Sequence, residues 1–363
     1  MQTYKDKKKY LWVLSALLPL VSITGVIAFQ ITSNALSLFI PLIFIYVFIP
    51  LLDLIFAEDK SNPPESEVPN LEKDSYYSYV CYLLLPVHIF IFLYLIHFIV
   101  TTDLSVWMYI CLILTMGIFG GLAVNLGHEL GHKTKSLDKN LAKFALAFSG
   151  YGHFNIEHNI GHHRDVATPE DSASSRFGES IYKFALREIP GGLIRAFKIE
   201  KRRLYRKGLS FWSINNQILH SYFMTLIIYT SVTIWLGWEA LLVLVLHIPI
   251  VWWQLTSANY VEHYGLLRQR LDNGNYERCK PHHSWNSNHL ASNLVLYHLQ
   301  RHSDHHANPA RHFQSLRHFD DAPQLPNGYM GLFVIAYFPP LWRKVMDHRV
   351  LKLADNNFDL INQ

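Results

Sequence analysis

Apolar residues in this chain are gathered into runs of about 20, the length at which a helix crosses the hydrocarbon core of a bilayer. Six such runs are expected to span: residues 10–29, 35–56, 77–100, 104–126, 218–238 and 239–260. The polar stretches between them alternate in character. Those after the first, third and fifth runs are a few residues long, around Thr32-Ser33-Asn34, Thr101-Thr102-Asp103 and Gly237-Trp238-Glu239, whereas those after the second, fourth and sixth are long and charged. The first run follows Lys5, Lys7, Lys8 and Lys9 but exceeds the apolar core of a secretory signal, so it reads as a retained span. Two further apolar segments, Leu141 to Phe154 and Tyr329 to Trp342, are too short to cross and are expected to pack under the bundle or lie at the interface. The pattern predicts an all-α integral membrane protein with six transmembrane helices, organised as one membrane-embedded domain over residues 1–363.

Charge orients the spans. Lys and Arg number four in the N-terminal tail, two between Ala57 and Tyr76, 15 from His128 to Gln217 and 11 from Val261 onward, which accounts for all 32. By the positive-inside rule, segments 1–9, 57–76, 127–217 and 261–363 are expected in the cytoplasm. The net charge of only +4, without a basic block interleaved with aromatics, gives no nucleic-acid surface. Cys81, Cys111 and Cys279 form no CxxC pair, which excludes a disulfide framework and a thiolate metal site.

Histidine changes the picture, because 21 are present and the densest clusters fall on the side with the positive charge. On a helix, positions three and four apart share a face. His128 and His132 are thus expected to bind one metal from successive turns. His158 and His162 repeat that spacing, and His163, about 100° round the helix, is placed to reach a second ion. His302, His305 and His306 form a third cluster, and His263 lies at the inner end of the last span. Nine imidazoles exceed what one ion accepts and fit two with positions left open; iron, copper, zinc and nickel all suit such ligands. Glu129, Glu157, Asp165, Glu262 and Asp304 stand beside the clusters and are expected to receive the second ring N–H of a ligand. His88, His97, His220, His247 and His348 read as hydrogen-bonded interfacial side chains. His153, His282, His283, His289, His298, His312 and His318 are left outside the ligand set. The stretch His128-Glu129-Leu130-Gly131-His132 is also a literal HExxH, so an intramembrane zinc protease is a rival reading; it leaves six clustered histidines unexplained.

His128-x3-His132, His158-x3-His162-His163 and His302-x2-His305-His306 resemble the three histidine boxes of the integral-membrane di-iron superfamily of fatty-acyl desaturases and hydroxylases. The intervening Asn259-Tyr260-Val261-Glu262-His263-Tyr264-Gly265 is similar to the element that sets alkane 1-monooxygenases apart from desaturases. The resemblance covers nearly the whole chain. It implies a bacterial inner-membrane enzyme that converts medium-chain n-alkanes to 1-alkanols with O2 at a non-haem di-iron site held by the nine histidines. Electrons would come from rubredoxin, recharged by an NADH-dependent rubredoxin reductase. A fatty-acyl desaturase or an alkyl-aromatic hydroxylase of the same superfamily is the alternative.

Two expectations concern the rest of the chain. An alkane dissolves in the bilayer, so a channel inside the bundle is expected, with Ile45, Phe48 and Leu52 of the second span as wall candidates. The chain lacks both paired CxxC elements and a Gly-rich dinucleotide fingerprint, so the electron donor is a separate protein. The basic run from Arg195 to Lys207, with Lys198, Arg202, Arg203 and Arg206, is expected to dock an acidic donor or to touch anionic membrane lipid.

Overall fold

The structure is a computed structural model and describes residues 4–363. Six helices among these are long and apolar enough to cross a membrane: α1 (Lys9–Thr32), α2 (Ala35–Ile55), α3 (Ser75–Thr101), α4 (Val106–Gly131), and, after three further segments, α8 (Gln217–Leu236) and α9 (Trp238–His263). Between α4 and α8 lie α5 (Ser136–Ala147), α6 (residues 154–165) and α7 (Ile181–Tyr205). After α9 come α10 (Leu290–Val295), α11 (His302–Ala307), α12 (Tyr329–Ala336) and α13 (Pro339–Leu353). The described residues contain isolated bridges but no β-strand.

Local chemistry sets several boundaries. Asn216 accepts hydrogen bonds from the N–H groups of Ile218 and Leu219, capping α8, and Ser180 caps α7 through Lys183 N. The short turn between α8 and α9 passes through Gly237 at φ +90°, a conformation that a side chain would oppose. Spans four and six pack most closely. A Cβ on Gly117 would stand 2.5 Å from Ile250, and one on Gly121 would stand 2.8 Å from Gln254. In lipid, where burial between helices gains little, such close approach supplies the packing that holds a pair together.

The shorter apolar segments lie as their lengths imply. Helix α5 packs Ala142, Ala145 and Leu146 beneath α4 and α8, and α12 buries Tyr329, Met330, Leu332 and Phe333 against α9 and α2. Helix α2 ends on a buried carboxylate, Asp53, which accepts from Ser292 N at 2.9 Å and from Ser292 Oγ. The second span is thereby fastened to α10, which leads into the third histidine cluster.

Candidate metal centre

The nine clustered histidines come together from α4, α6, α9 and α11. They form two adjacent groups: His128, His132, His158, His163 and His305 in one, and His162, His263, His302 and His306 in the other. Seven are buried; His132 and His163 are partly exposed. Within the first group Nε2 atoms face one another: His128 to His305 at 3.0 Å, His158 to His163 at 3.1 Å and His163 to His305 at 3.1 Å. In the second, His302 Nε2 lies 2.9 Å from His306 Nε2 and 3.3 Å from His263 Nε2. Two nitrogens at right angles around an ion, each about 2.1 Å from it, sit about 3.0 Å apart. The buried Nε2 atoms of His132 and His162 have no hydrogen-bond partner at all. Convergent, mutually facing imidazole nitrogens with orphaned members are a donor set for metal ions, since protons alone cannot satisfy so many acceptors in one place.

One pairing differs from the sequence expectation. His158 shares its group with His163, five residues on, and His162 turns to the other group. The reason is local: residues Glu157–His162 form a π turn, which brings positions i and i+5 onto one face where an α-helix would align i and i+4. Helix α11 keeps α geometry, so His302 and His306 stay together while His305 crosses to the first group.

The carboxylates beside the clusters take other partners than those expected. Glu129 accepts from Phe313 N and pairs with Lys133 at 3.3 Å. Glu157 pairs with Arg195, Asp165 with Arg164, and Asp304 with Arg311 and Arg317 N. None of these four receives a ring N–H of a clustered histidine. A residue one or two positions from a ligand projects well round the helix from it and so meets cations off the site, in its own segment for Glu129 and Asp165 and on other segments for Glu157 and Asp304. Glu129 in particular is held off the imidazoles, which removes the water-activating carboxylate that an HExxH protease uses. Glu262 also departs from the expectation, in the opposite sense: its Oε2 lies 3.2 Å from His302 Nε2, the nitrogen that faces its group, so it belongs to the inner surface of the site.

The carboxylate that does support a ring is Asp171, which sequence reading missed. Its Oδ2 accepts from His162 Nδ1 at 2.8 Å, with neither side chain exposed, and this bond directs Nε2 inward. Arg195 completes the support, donating to Asp171 Oδ1 at 2.6 Å and to Glu157 through Nε at 3.0 Å. Gly161 lets the guanidinium approach, because a Cβ there would stand 2.9 Å from Arg195 Nε. Burial opposes protonation of His162, but the Asp171 carboxylate outweighs it and raises the pKa. Burial instead pushes His132 down to about 3, and His158, His163, His302, His305 and His306 fall well below the usual range, with neighbouring imidazoles adding to the effect. These rings are neutral, the form that binds metal.

An apolar cavity runs from the bundle interior to the site. Ile45, Phe119, Leu122, Leu255, Leu296 and Phe333 line it, and His128, His158, His302 and Glu262 border its inner end. Of the three wall candidates only Ile45 takes part; Leu52 does not border the cavity and Phe48 is 46% exposed on the outside of the bundle. A second π turn, Phe44–Phe48, explains the difference. It advances the inward face to Ile45, Ile49 and Asp53, all buried, instead of the i, i+3, i+7 positions of a regular helix. On α7, Arg203 is committed to Glu200 and Asn215 O, while Lys198, Arg202 and, just past the helix end, Arg206 remain exposed. Three of the histidines left outside the set bond elsewhere: His247 to Leu244 O and Phe148 O, His298 to Phe313 O, and His153 to the Tyr222 hydroxyl.

Residues 104–336 match the fatty acid desaturase family model. The chain is 50% identical to alkane 1-monooxygenase 1 of Alcanivorax borkumensis, over 99% of this chain and 89% of that protein. It is 51% identical to alkane 1-monooxygenase of Ectopseudomonas oleovorans over the same shares. A more distant relative, the xylene/toluene monooxygenase hydroxylase component of Pseudomonas putida, is 30% identical over 64% of this chain and 61% of its own length.

Proposed function

Because this chain belongs to the alkane 1-monooxygenases, within the fatty acid desaturase family, we propose that it hydroxylates the terminal methyl group of medium-chain n-alkanes at a pair of iron ions. The observation that carries this reading is the meeting of two imidazole groups with an apolar cavity that His128, His158 and His302 help to line. An unactivated C–H bond offers no handle to an acid, a base or a nucleophile, so a redox metal pair with O2 supplies the oxidising power.

The chain's own residues do the rest. His128, His132, His158, His163 and His305 would hold one ion, and His162, His263, His302 and His306 the other, with Glu262 beside the second set. Asp171 and Arg195 keep His162 turned inward. The cavity wall excludes water and admits a straight chain end-on, so the methyl group arrives first and selectivity is positional. Asn125, which donates to Leu296 O, ties α4 to the segment that closes the cavity.

Electrons come from a partner, which we take to be rubredoxin, recharged by an NADH-dependent rubredoxin reductase. The three cysteines are dispersed and free, which supports an external donor. Lys198 and Arg202 on α7 and Arg206 at its end are the docking cations in this reading, with the enzyme in the inner membrane and its histidine side in the cytoplasm. The test is a series of n-alkanes assayed with rubredoxin, reductase and NADH, alongside metal analysis. Two irons per chain and 1-alkanol product support the reading. One zinc with peptide cleavage, or an alkene product, would overturn it.

A further inference from the structure

We propose that Tyr151, Trp252 and Tyr222 form an escape route for oxidising equivalents, which carries a hole from the catalytic centre to the start of α8 whenever O2 is activated without an alkane in the cavity. The inference rests on the oxygenase reading above and adds a protective function to it. The route begins at one ligand. Phe154 stacks on His158 with ring centroids 5.0 Å apart and planes 21° from parallel. Among the described residues it is the only non-histidine ring packed against a clustered histidine.

Beyond Phe154 the rings continue in contact. Tyr151 lies 5.4 Å from Phe154 and 4.7 Å from Trp252, the latter pair stacked at 17°. His153 lies 5.3 Å from Trp252 and 6.2 Å from Tyr222, whose ring it parallels within 16°. Trp252 is held by donating from Nε1 to Ser149 O at 3.1 Å, and Gly152 seats Tyr222, since a Cβ there would stand 3.1 Å from its ring. Tyr222 is partly exposed in the second turn of α8. Phenol and indole give up an electron far more readily than the phenylalanine ring, so Tyr151, Trp252 and Tyr222 are the stations, while Phe154 and His153 fill the gaps between them. Tyr222 is equipped to hold the charge. Its hydroxyl lies 2.8 Å from His153 Nδ1 and has no other hydrogen-bond partner among the described residues, so the O–H donates to that nitrogen. Burial lowers the His153 pKa to about 3, yet an oxidised phenol is a much stronger acid than even this imidazolium. The proton therefore crosses to His153 as the electron leaves, and a neutral tyrosyl radical remains.

The electrons balance. Hydroxylation takes two electrons and two protons from the donor side and two electrons from the C–H bond, and leaves O2 as one alcohol oxygen and one water. Without alkane, the chain supplies the last two electrons one at a time. An electron passes inward by way of Trp252 and Tyr151, the Tyr222 proton shifts to His153, and a small soluble one-electron reductant of the ascorbate class refills Tyr222, which takes its proton back. Two such cycles, with two protons from solvent, complete the second water and spare the histidines from oxidation.

The experiment reads the radical as well as the product. Chemically reduced, metal-loaded enzyme is mixed with O2 without alkane and freeze-quenched for electron paramagnetic resonance, in the wild type, Tyr222→Phe and Trp252→Phe. The expected result is a tyrosyl signal in the wild type that narrows when tyrosine is ring-deuterated, and that falls about tenfold in both variants and in wild type given alkane first. Peptide mass spectrometry after the same exposure should find about threefold more oxidation in the histidine-cluster peptides of the variants. Tyr222→Phe keeps the ring and touches neither the ligands nor the cavity, so its yield of 1-alkanol from n-alkane stays within about twofold of wild type. 1-Alkanol formed with no tyrosyl radical, or a radical undiminished in Tyr222→Phe, would overturn the proposal and leave the oxygenase reading standing. No 1-alkanol from any n-alkane would overturn both.

Discussion

Shortening Ile45 tests the channel and the π turn together. Its side chain is 3% exposed and forms part of the cavity wall, two turns of α2 from Asp53. Ile45→Ala removes three carbons from that wall and opens room for about two methylenes of substrate, each worth about 0.8 kcal/mol when buried. An alkane two carbons longer than the wild-type optimum therefore regains about 1.6 kcal/mol, roughly 15-fold in relative kcat/KM. The cost in stability falls near the lower end of the range for such truncations, about 2 kcal/mol, because the side chain borders open space on one side. The assay is competition among n-alkanes of graded length, read as the distribution of 1-alkanols. Phe48→Ala is the control: a regular helix would put Phe48 on the same wall, but here it faces outward and its loss leaves the distribution unchanged. A profile for Ile45→Ala that superimposes on the wild type, or an equal shift for Phe48→Ala, would refute the reasoning.

Other outcomes rest on the same geometry. Asp171→Asn takes the carboxylate from His162 Nδ1 and from Arg195, and should weaken metal binding about 10–100-fold; elemental analysis of purified protein checks this, and full occupancy would count against the role of Asp171. Metal-stripped enzyme should lose stability in acid. Its buried imidazoles have folded pKa values lowered by burial, to about 3 for His132, against an unfolded value near 6.5, so the unfolded state takes up more protons as pH falls below about 6.5. His162, with its raised pKa, contributes in the opposite sense and is outnumbered. Thermal melts of the stripped protein should therefore drop between about pH 7.5 and 5.5, and a flat profile contradicts the burial argument. Reversing Lys198 and Arg202 to Glu should slow donor-dependent turnover at low ionic strength and flatten its salt dependence; turnover with the same salt response as wild type would exclude that face as the dock.

The spans were legible because bilayer thickness imposes a run length that composition alone reveals, and the clusters because a spacing that recurs three times on one side is hard to produce otherwise. The winding of the helices escaped. Both π turns, Phe44–Phe48 and Glu157–His162, carry residues that would equally suit an α-helix, yet each shifts the later residues of its helix by one position and reassigns a face. Phe48 left the wall and His162 exchanged groups with His163 for that one reason. Asp171 was hidden differently. It meets His162 through a turn nine residues later, a separation at which no helical period speaks. Arg195 stood in plain view within a basic run, but only the fold shows that it turns inward while Lys198 and Arg202 remain on the surface.

Neighbours in the chain serve different groups at two places, His162 beside His163 and His305 beside His306. A single peptide bond thus links the coordination shells, twice over. Filling one shell immobilises backbone that the other needs, so the entropy of ordering is met once for both. Loading should accordingly be cooperative, with empty and fully occupied molecules dominating a metal titration and half-filled ones scarce.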